Sequence, residues 1–159
     1  MSVERVPVTT RGYESWTKKL KHLKEVERPQ NVKDIERARE HGDISENAEF
    51  NAAKEKQGMI MAYTRMLEDK ISRALVVEPS TLSSDKIMFG ATVTLLDFDN
   101  DEEVTYQLVG EAEADLKEGW ISITSPLARG LVGREVDDSV EVTTPRGIRE
   151  YEVLGIVYK

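Results

Sequence analysis

A single glycine between two long helix-prone segments of similar length constrains this chain more than any other feature. Gly42 ends one segment and opens the other, and glycine readily takes the backbone angles that reverse a chain after a helix. Upstream, Thr9 and Thr10 can cap a helix. Trp16, Leu20 and Leu23 then recur at helical spacing, with Tyr13 beside them, and Val32, Ile35 and Ala38 carry the stripe toward the glycine. Downstream, the second arm runs to about Ala74, with Ala48, Ala52, Ile60, Tyr63, Leu67, Ile71 and Ala74 as its seam. Charged residues fill the other faces, as a two-helix seam with solvated flanks requires. The short connection makes the arms antiparallel, and arms of roughly 30 residues make a rod about 45 Å long at 1.5 Å per residue. Pro29 interrupts the first arm. Inside a helix, proline removes a donor and clashes with the preceding turn at a cost of ~3 kcal/mol. This predicts a kink or frayed turn near residues 26–30, within one arm, rather than two separate helices.

Past residue 78 the pattern changes. Residues 79–86, rich in Pro, Ser and Thr, read as a linker. Alternating and β-branched runs then predict strands over 91–96, 103–109 and 120–124, and a C-terminal hairpin of 139–144 and 148–158 around Pro145-Arg146-Gly147. Ser125-Pro126 suits a helix start and predicts a short helix from 126 to about 131. The fold class is therefore α+β in two domains. Residues 1–78 form an antiparallel coiled-coil hairpin with its tip at about 40–49, and residues 87–159 form a small antiparallel sheet domain with one short helix.

Charge divides along the same line. Residues 1–80 carry 15 basic and 14 acidic side chains, whereas residues 81–159 carry 7 and 16. The C-terminal half is thus a poor sequence-independent nucleic-acid binder, because such binding needs basic groups to neutralise phosphates. There are no cysteines, hence no disulfide framework and no thiolate site. No apolar run nears the roughly 20 residues that span a bilayer, and no signal-peptide core opens the chain. The expectation is a soluble cytoplasmic protein with no membrane contact.

The chemistry gathers at the hairpin turn. Asp43 and Glu46, three residues apart, have two compatible readings. They make an acid-headed capping box at the positive end of a helix, and they lie close enough to share one hard cation. Mg²⁺ prefers about six oxygen ligands, so two carboxylates on an exposed tip would hold it weakly until a partner supplies the rest. Nearby Arg37, Arg39, Lys54 and Lys56 either balance neighbouring acids or contact phosphates. His41 reads as a helix-end residue without a metal-binding companion.

The segment Ala38-Arg-Glu-His-Gly-Asp-Ile-Ser-Glu-Asn-Ala-Glu-Phe50, followed by Ala52-Ala-Lys-Glu-Lys-Gln-Gly58, closely resembles the bacterial transcript cleavage factors of the GreA/GreB family. So do Phe89-Gly-Ala-Thr-Val-Thr-Leu95 and Ser125-Pro-Leu-Ala-Arg-Gly-Leu-Val-Gly133. The likeness runs in order along the whole chain. It is nearer the GreA type, since few extra basic residues lie beyond the tip. The resemblance implies an FKBP-like C-terminal domain and a hairpin that enters the secondary channel of a backtracked bacterial RNA polymerase. It implies that Asp43 and Glu46 are the catalytic pair, helping to hold a second Mg²⁺ and its water in the polymerase's own active centre. The polymerase then hydrolyses the nascent RNA near its 3′ end, so the chain is a cofactor and not itself an enzyme, and it has no small-molecule substrate. The resemblance puts Arg39 and Lys54 against the RNA or channel wall. It puts the C-terminal domain at the channel rim, where Ser125, Pro126, Leu127, Arg129 and Leu131 are the candidate docking surface. Three other classes compete. A proline isomerase is disfavoured because Phe89, Phe98, Tyr106, Trp120, Tyr151 and Tyr158 show no evident cluster in the sequence. A channel inhibitor would carry a differently armed tip. An unrelated coiled-coil adaptor would not need the tip acids.

Overall fold

The computed structural model describes residues 4–42 and 47–159. They fall into two units: Tyr13–Ala74, and Glu4–Gly12 together with Leu75–Lys159.

The first unit is a helical hairpin. Its first arm is α1 (Thr10–His22), a π-helical turn (Leu23–Glu27) and α2 (Arg28–Arg39); its second arm is α3 (Ala48–Arg73). The π turn answers Pro29. The Arg28 N–H donates to the Leu23 carbonyl, five residues back. The widened turn relieves the clash that proline's ring makes with the carbonyl four residues before it. Glu27 and Arg28 keep right-handed helical angles, so the backbone stays helical through the turn. The arms are antiparallel. Asn31 Nδ2 donates to the Ala53 carbonyl at 3.0 Å, and Lys24 Nζ meets Glu68 Oε1 at 2.8 Å. Trp16 and Leu20 pack on a core of Leu23, Ile60 and Leu67.

The seam differs from the predicted stripe in an orderly way. On α3 the inward positions are Phe50, Ala53, Gln57, Ile60, Thr64, Leu67 and Ile71, alternating by 3 and 4 as a heptad does. Ala48, Ala52 and Tyr63, expected in the seam, are exposed, because polar Gln57 and Thr64 hold inner positions and hide the true phase. On the first arm Glu27 is followed inward by Asn31 and then Ile35 and Ala38. The extra residue in the π turn advances the phase by one, burying Asn31 (2 % exposed) and turning Val32 out (44 %).

The second unit is built on a five-stranded sheet in the order β5-β4-β3-β7-β6, where β3 is Thr92–Asp97, β4 Glu102–Val109, β5 Trp120–Ser122, β6 Ser139–Thr144 and β7 Gly147–Val157. All neighbours are antiparallel except β4 and β5, which run parallel with Gln107 opposite Trp120. That pairing departs from the all-antiparallel expectation: residues 110–119 cross over, through two short 3₁₀ turns, instead of closing a hairpin. The short helix α4 (Pro126–Leu131) packs on β6, and Gly130 makes that approach close: a Cβ there would stand 3.1 Å from Val140 Cγ1. Val93, Leu95, Leu108, Ile121, Val140 and Val153 fill the core. This short helix set on a curled sheet is the FKBP-like arrangement that the resemblance implies.

Two four-residue strands, β1 (Val6–Thr9) and β2 (Ala74–Val77), pair as a separate ribbon. Neither is apparent in the sequence, where residues 1–78 read as one helical domain, because four residues are too few to show a two-residue period. The start of the chain therefore groups with the sheet unit. Glu113 fixes it there, its carboxylate accepting from the Thr9 N–H at 3.1 Å, the Thr9 hydroxyl and the Gly110 N–H at 2.8 Å. Arg11 stacks 3.6 Å over the Trp120 ring and donates to Gln107 at 3.0 Å.

Candidate functional site

At the hairpin turn, α2 unwinds through three tightening bonds, the last from the Gly42 N–H to the Arg39 carbonyl at 3.5 Å. Gly42 sits at φ +103°, with nothing among the described residues within 4 Å of where a Cβ would stand, so the position calls for glycine's left-handed freedom. Across the turn, Asn47 serves both arms. Its Oδ1 accepts from the Phe50 N–H at 3.1 Å, capping α3, and its Nδ2 donates to the Ala38 carbonyl at the end of α2 at 2.6 Å. Asn47 is the positioning residue that sequence reasoning missed. The signal is present, an asparagine just before a helical run, but the acid pair upstream looks more like a capping box. The cap of α3 is thus Asn47, not Asp43.

Asp43 and Glu46 lie outside the described residues, in the stretch bracketed by Gly42 and Asn47. Around that bracket, Arg39 Cζ lies 5.9 Å from the centre of the Phe50 ring, and His41 Nδ1 lies 3.0 Å from Glu49 Oε2. Lys54 is exposed, with Nζ donating to Gln57 Oε1 at 2.9 Å. Arg39 and Lys54 thus each engage a neighbour of their own, Phe50 and Gln57 respectively. Among the described residues, no group of three or more His, Cys, Asp or Glu could hold a metal ion.

In the second unit, Ser125 caps α4 as the sequence predicts, its Oγ accepting from the Ala128 N–H at 3.3 Å and donating to the Ser122 carbonyl at 2.6 Å. Pro126 and Arg129 face solvent, and Ser125 and Leu127 are half-buried. Leu131 is corrected: it is fully buried in the core. Helix α4 presents one face outward, and Leu131, three residues after Ala128, falls with it on the inner one. The aromatic side chains also need correction, because Tyr106 and Tyr151 line one cleft of this unit. Among the described residues, no helix is long and apolar enough to cross a membrane.

Known proteins match along the whole length. The family model for the transcription elongation factor GreA/GreB C-terminal domain covers residues 82–158, and the model for the transcription elongation factor N-terminal domain covers residues 6–76. The chain is 57% identical over 157 residues to the transcription elongation factor GreA of Sphingopyxis alaskensis, covering 99% of this chain and 98% of that one. It is 54% identical over 155 residues to GreA of Syntrophotalea carbinolica, with 98% of each covered. Among solved structures, the transcription factor Gfh1 is 32% identical, with 98% of this chain and 99% of that one covered and a TM-score of 0.45. Two family models in tandem and relatives above half identity over nearly the full length give one conclusion: the chain belongs to the GreA/GreB family of transcription elongation factors.

Proposed function

We propose that this elongation factor binds bacterial RNA polymerase, passes its hairpin into the secondary channel of a backtracked complex, and lends Asp43 and Glu46 to the polymerase's own RNA-cleaving centre. The observation that carries this reading is the way the hairpin brackets the acid pair. Gly42 turns the chain and Asn47 ties both arms together, and in the sequence these two residues flank the segment that carries Asp43 and Glu46. Two carboxylates are hard oxygen donors and suit Mg²⁺ in kind; the ion, when bound in the polymerase, stabilises charge and activates water for phosphodiester hydrolysis. Asp43 and Glu46 are then ligands that complete a shell the polymerase begins. Arg39 and Lys54 steer and retain the 3′ segment of the displaced RNA or the channel wall by charge. The exposed face of Ser125, Pro126, Leu127 and Arg129 docks the second unit. The chain has no turnover of its own and works in the cytoplasm with the polymerase.

The test is RNA cleavage in a purified, backtracked elongation complex with Mg²⁺. The Asp43→Asn/Glu46→Gln double variant is expected to bind polymerase as the parent does and to lose stimulated cleavage, by a factor of at least ~100. Cleavage at the parent's rate would overturn the assignment of the acids.

A further inference from the structure

Helix α3 carries two apolar stripes where a two-helix hairpin needs one. The seam holds Ala53, Ile60 and Leu67, all buried. The second stripe is Met59, Ala62, Tyr63 and Met66, spaced to share one side of the helix about a third of a turn from the seam. Its large members stand in water, with Met59 67 %, Tyr63 39 % and Met66 40 % exposed. With Leu23 and Ile60 these four wall a cleft of about 590 Å³, whose charged lining residues are one acid and one base, Glu27 and Lys56. That balance does not suit a polyanion, which binds where basic groups are in excess. A helix with two apolar sides belongs to a bundle of more than two helices, so the face lacks a helical partner.

The charges flanking the stripe say which helix fits. Its centre lies between Ala62 and Tyr63, and residues equidistant from that point are Met59 and Met66, Lys56 and Asp69, Glu55 and Lys70. Two copies of α3 laid antiparallel across a two-fold axis at that point set each residue against its mate in the other copy, as an isologous interface requires. Methionine then meets methionine in the middle, and opposite charges meet toward both ends. The side chains are available for this. Among the described residues Lys56 makes no ion pair, and Asp69 holds Arg73 through Oδ1 at 3.1 Å, an exposed pair of small worth. Residues 13–74 carry 13 basic and 12 acidic side chains, so two hairpins approach without the net repulsion that the acidic C-terminal half would bring.

We propose that the outer face of α3 is a self-association surface, on which a second copy of this chain lays its own α3 antiparallel, so that the two hairpins make a four-helix bundle. Met59 and Met66 supply the apolar contact, and methionine's flexible chain fills such a junction without exact shape matching. Lys56 and Asp69 of opposite copies fix the antiparallel direction, as charges flanking an apolar seam do in coiled coils. Residues 55–70 span only about 22 Å of helix, so the interface is small, and the pair is a reversible one with a Kd of about 10–100 µM. The pairing stands independently of the reading of the acid tip.

The experiment is sedimentation equilibrium of the full chain from about 5 to about 500 µM, a range that brackets the expected Kd. The parent's average mass is expected to rise from 18.0 kDa toward twice that value. Met59→Glu, at an exposed position, is expected to remain at the monomer mass throughout, with its helix content unchanged by circular dichroism. Lys56→Asp and Asp69→Lys each set like charges together twice in a symmetric pair, so each alone is expected to associate about tenfold more weakly. An equimolar mixture of the two is expected to recover the parent's affinity within about twofold, because each copy then offers its partner the opposite sign at both contacts. A merely structural role for Lys56 or Asp69 would not produce that recovery. A parent that stays monomeric over the whole range overturns the proposal, and if Met59→Glu then weakens binding to core RNA polymerase, the face belongs to the polymerase. Association of Met59→Glu at the parent's level, or a mixture no tighter than its two components, overturns the antiparallel α3 pairing.

Discussion

Gly12→Ala separates helix propensity from tertiary packing, because the two predict opposite signs. Gly12 lies in the first turn of α1, facing the carboxylate of Glu113. A Cβ at this position would stand 2.5 Å from Glu113 Cδ and 2.7 Å from Cγ, so the Glu113 side chain must leave. It leaves behind the Thr9 N–H, the Thr9 hydroxyl and the Gly110 N–H. Hydrogen bonds to a charged group contribute about 1.5–3 kcal/mol each, and water recovers part of that at a half-buried site, so losing the set costs about 3 kcal/mol. Against this, replacing glycine by alanine in a helix gains about 1 kcal/mol. The net effect is a loss of about 2 kcal/mol, which lowers the thermal midpoint of a unit this size by about 10 °C. The assay is thermal unfolding followed through Trp120 fluorescence, with Glu113→Ala and the double variant alongside. With Glu113 already truncated, Gly12→Ala should become neutral or stabilising by up to about 1 kcal/mol. A neutral or raised midpoint for Gly12→Ala alone would refute the reasoning.

Two further outcomes follow from particular residues. Deleting Val26 together with Pro29→Ala should convert the π turn into regular α-helix while keeping Leu23 and Asn31 in phase with the seam; deleting Glu36 instead should throw Ala38 out of phase and lower the hairpin's thermal midpoint, both read by circular dichroism. The Tyr158 hydroxyl is held above the ordinary tyrosine value by burial, against opposing hydrogen bonds from Met88 and Ser84, and it donates to the Lys86 carbonyl at 2.6 Å. The folded state therefore keeps this proton more tightly than the unfolded chain does. Its contribution is complete below pH 10 and is lost as pH rises through the raised value, so urea midpoints should fall across that range and fall less steeply in Tyr158→Phe.

Local signals were legible without coordinates. The two arms, the reversal at Gly42, the main strands, the Ser125 cap and the short helix behind it each rest on neighbours within a few residues, through periodicity, backbone freedom or a side chain bonding its own backbone. The acid pair, Asp43 and Glu46, is a reading of the sequence alone, because both residues lie outside the described residues. What the tertiary structure alone decided involves partners far apart in sequence. The seam runs through Asn31 and Ala53 because one extra residue in the π turn changes which face of the first arm meets the second. Asn47 becomes the cap because it also reaches Ala38 on the other arm. Leu131 is withdrawn into the core because α4 lies on β6, and Tyr106 and Tyr151 share a cleft because the sheet curls, placing together residues that 45 positions of chain separate. Thr9 meets Glu113 across 104 positions. No local pattern encodes such pairs, since each member satisfies its own local rules equally well without the other, and only the closing of the chain on itself determines which groups meet.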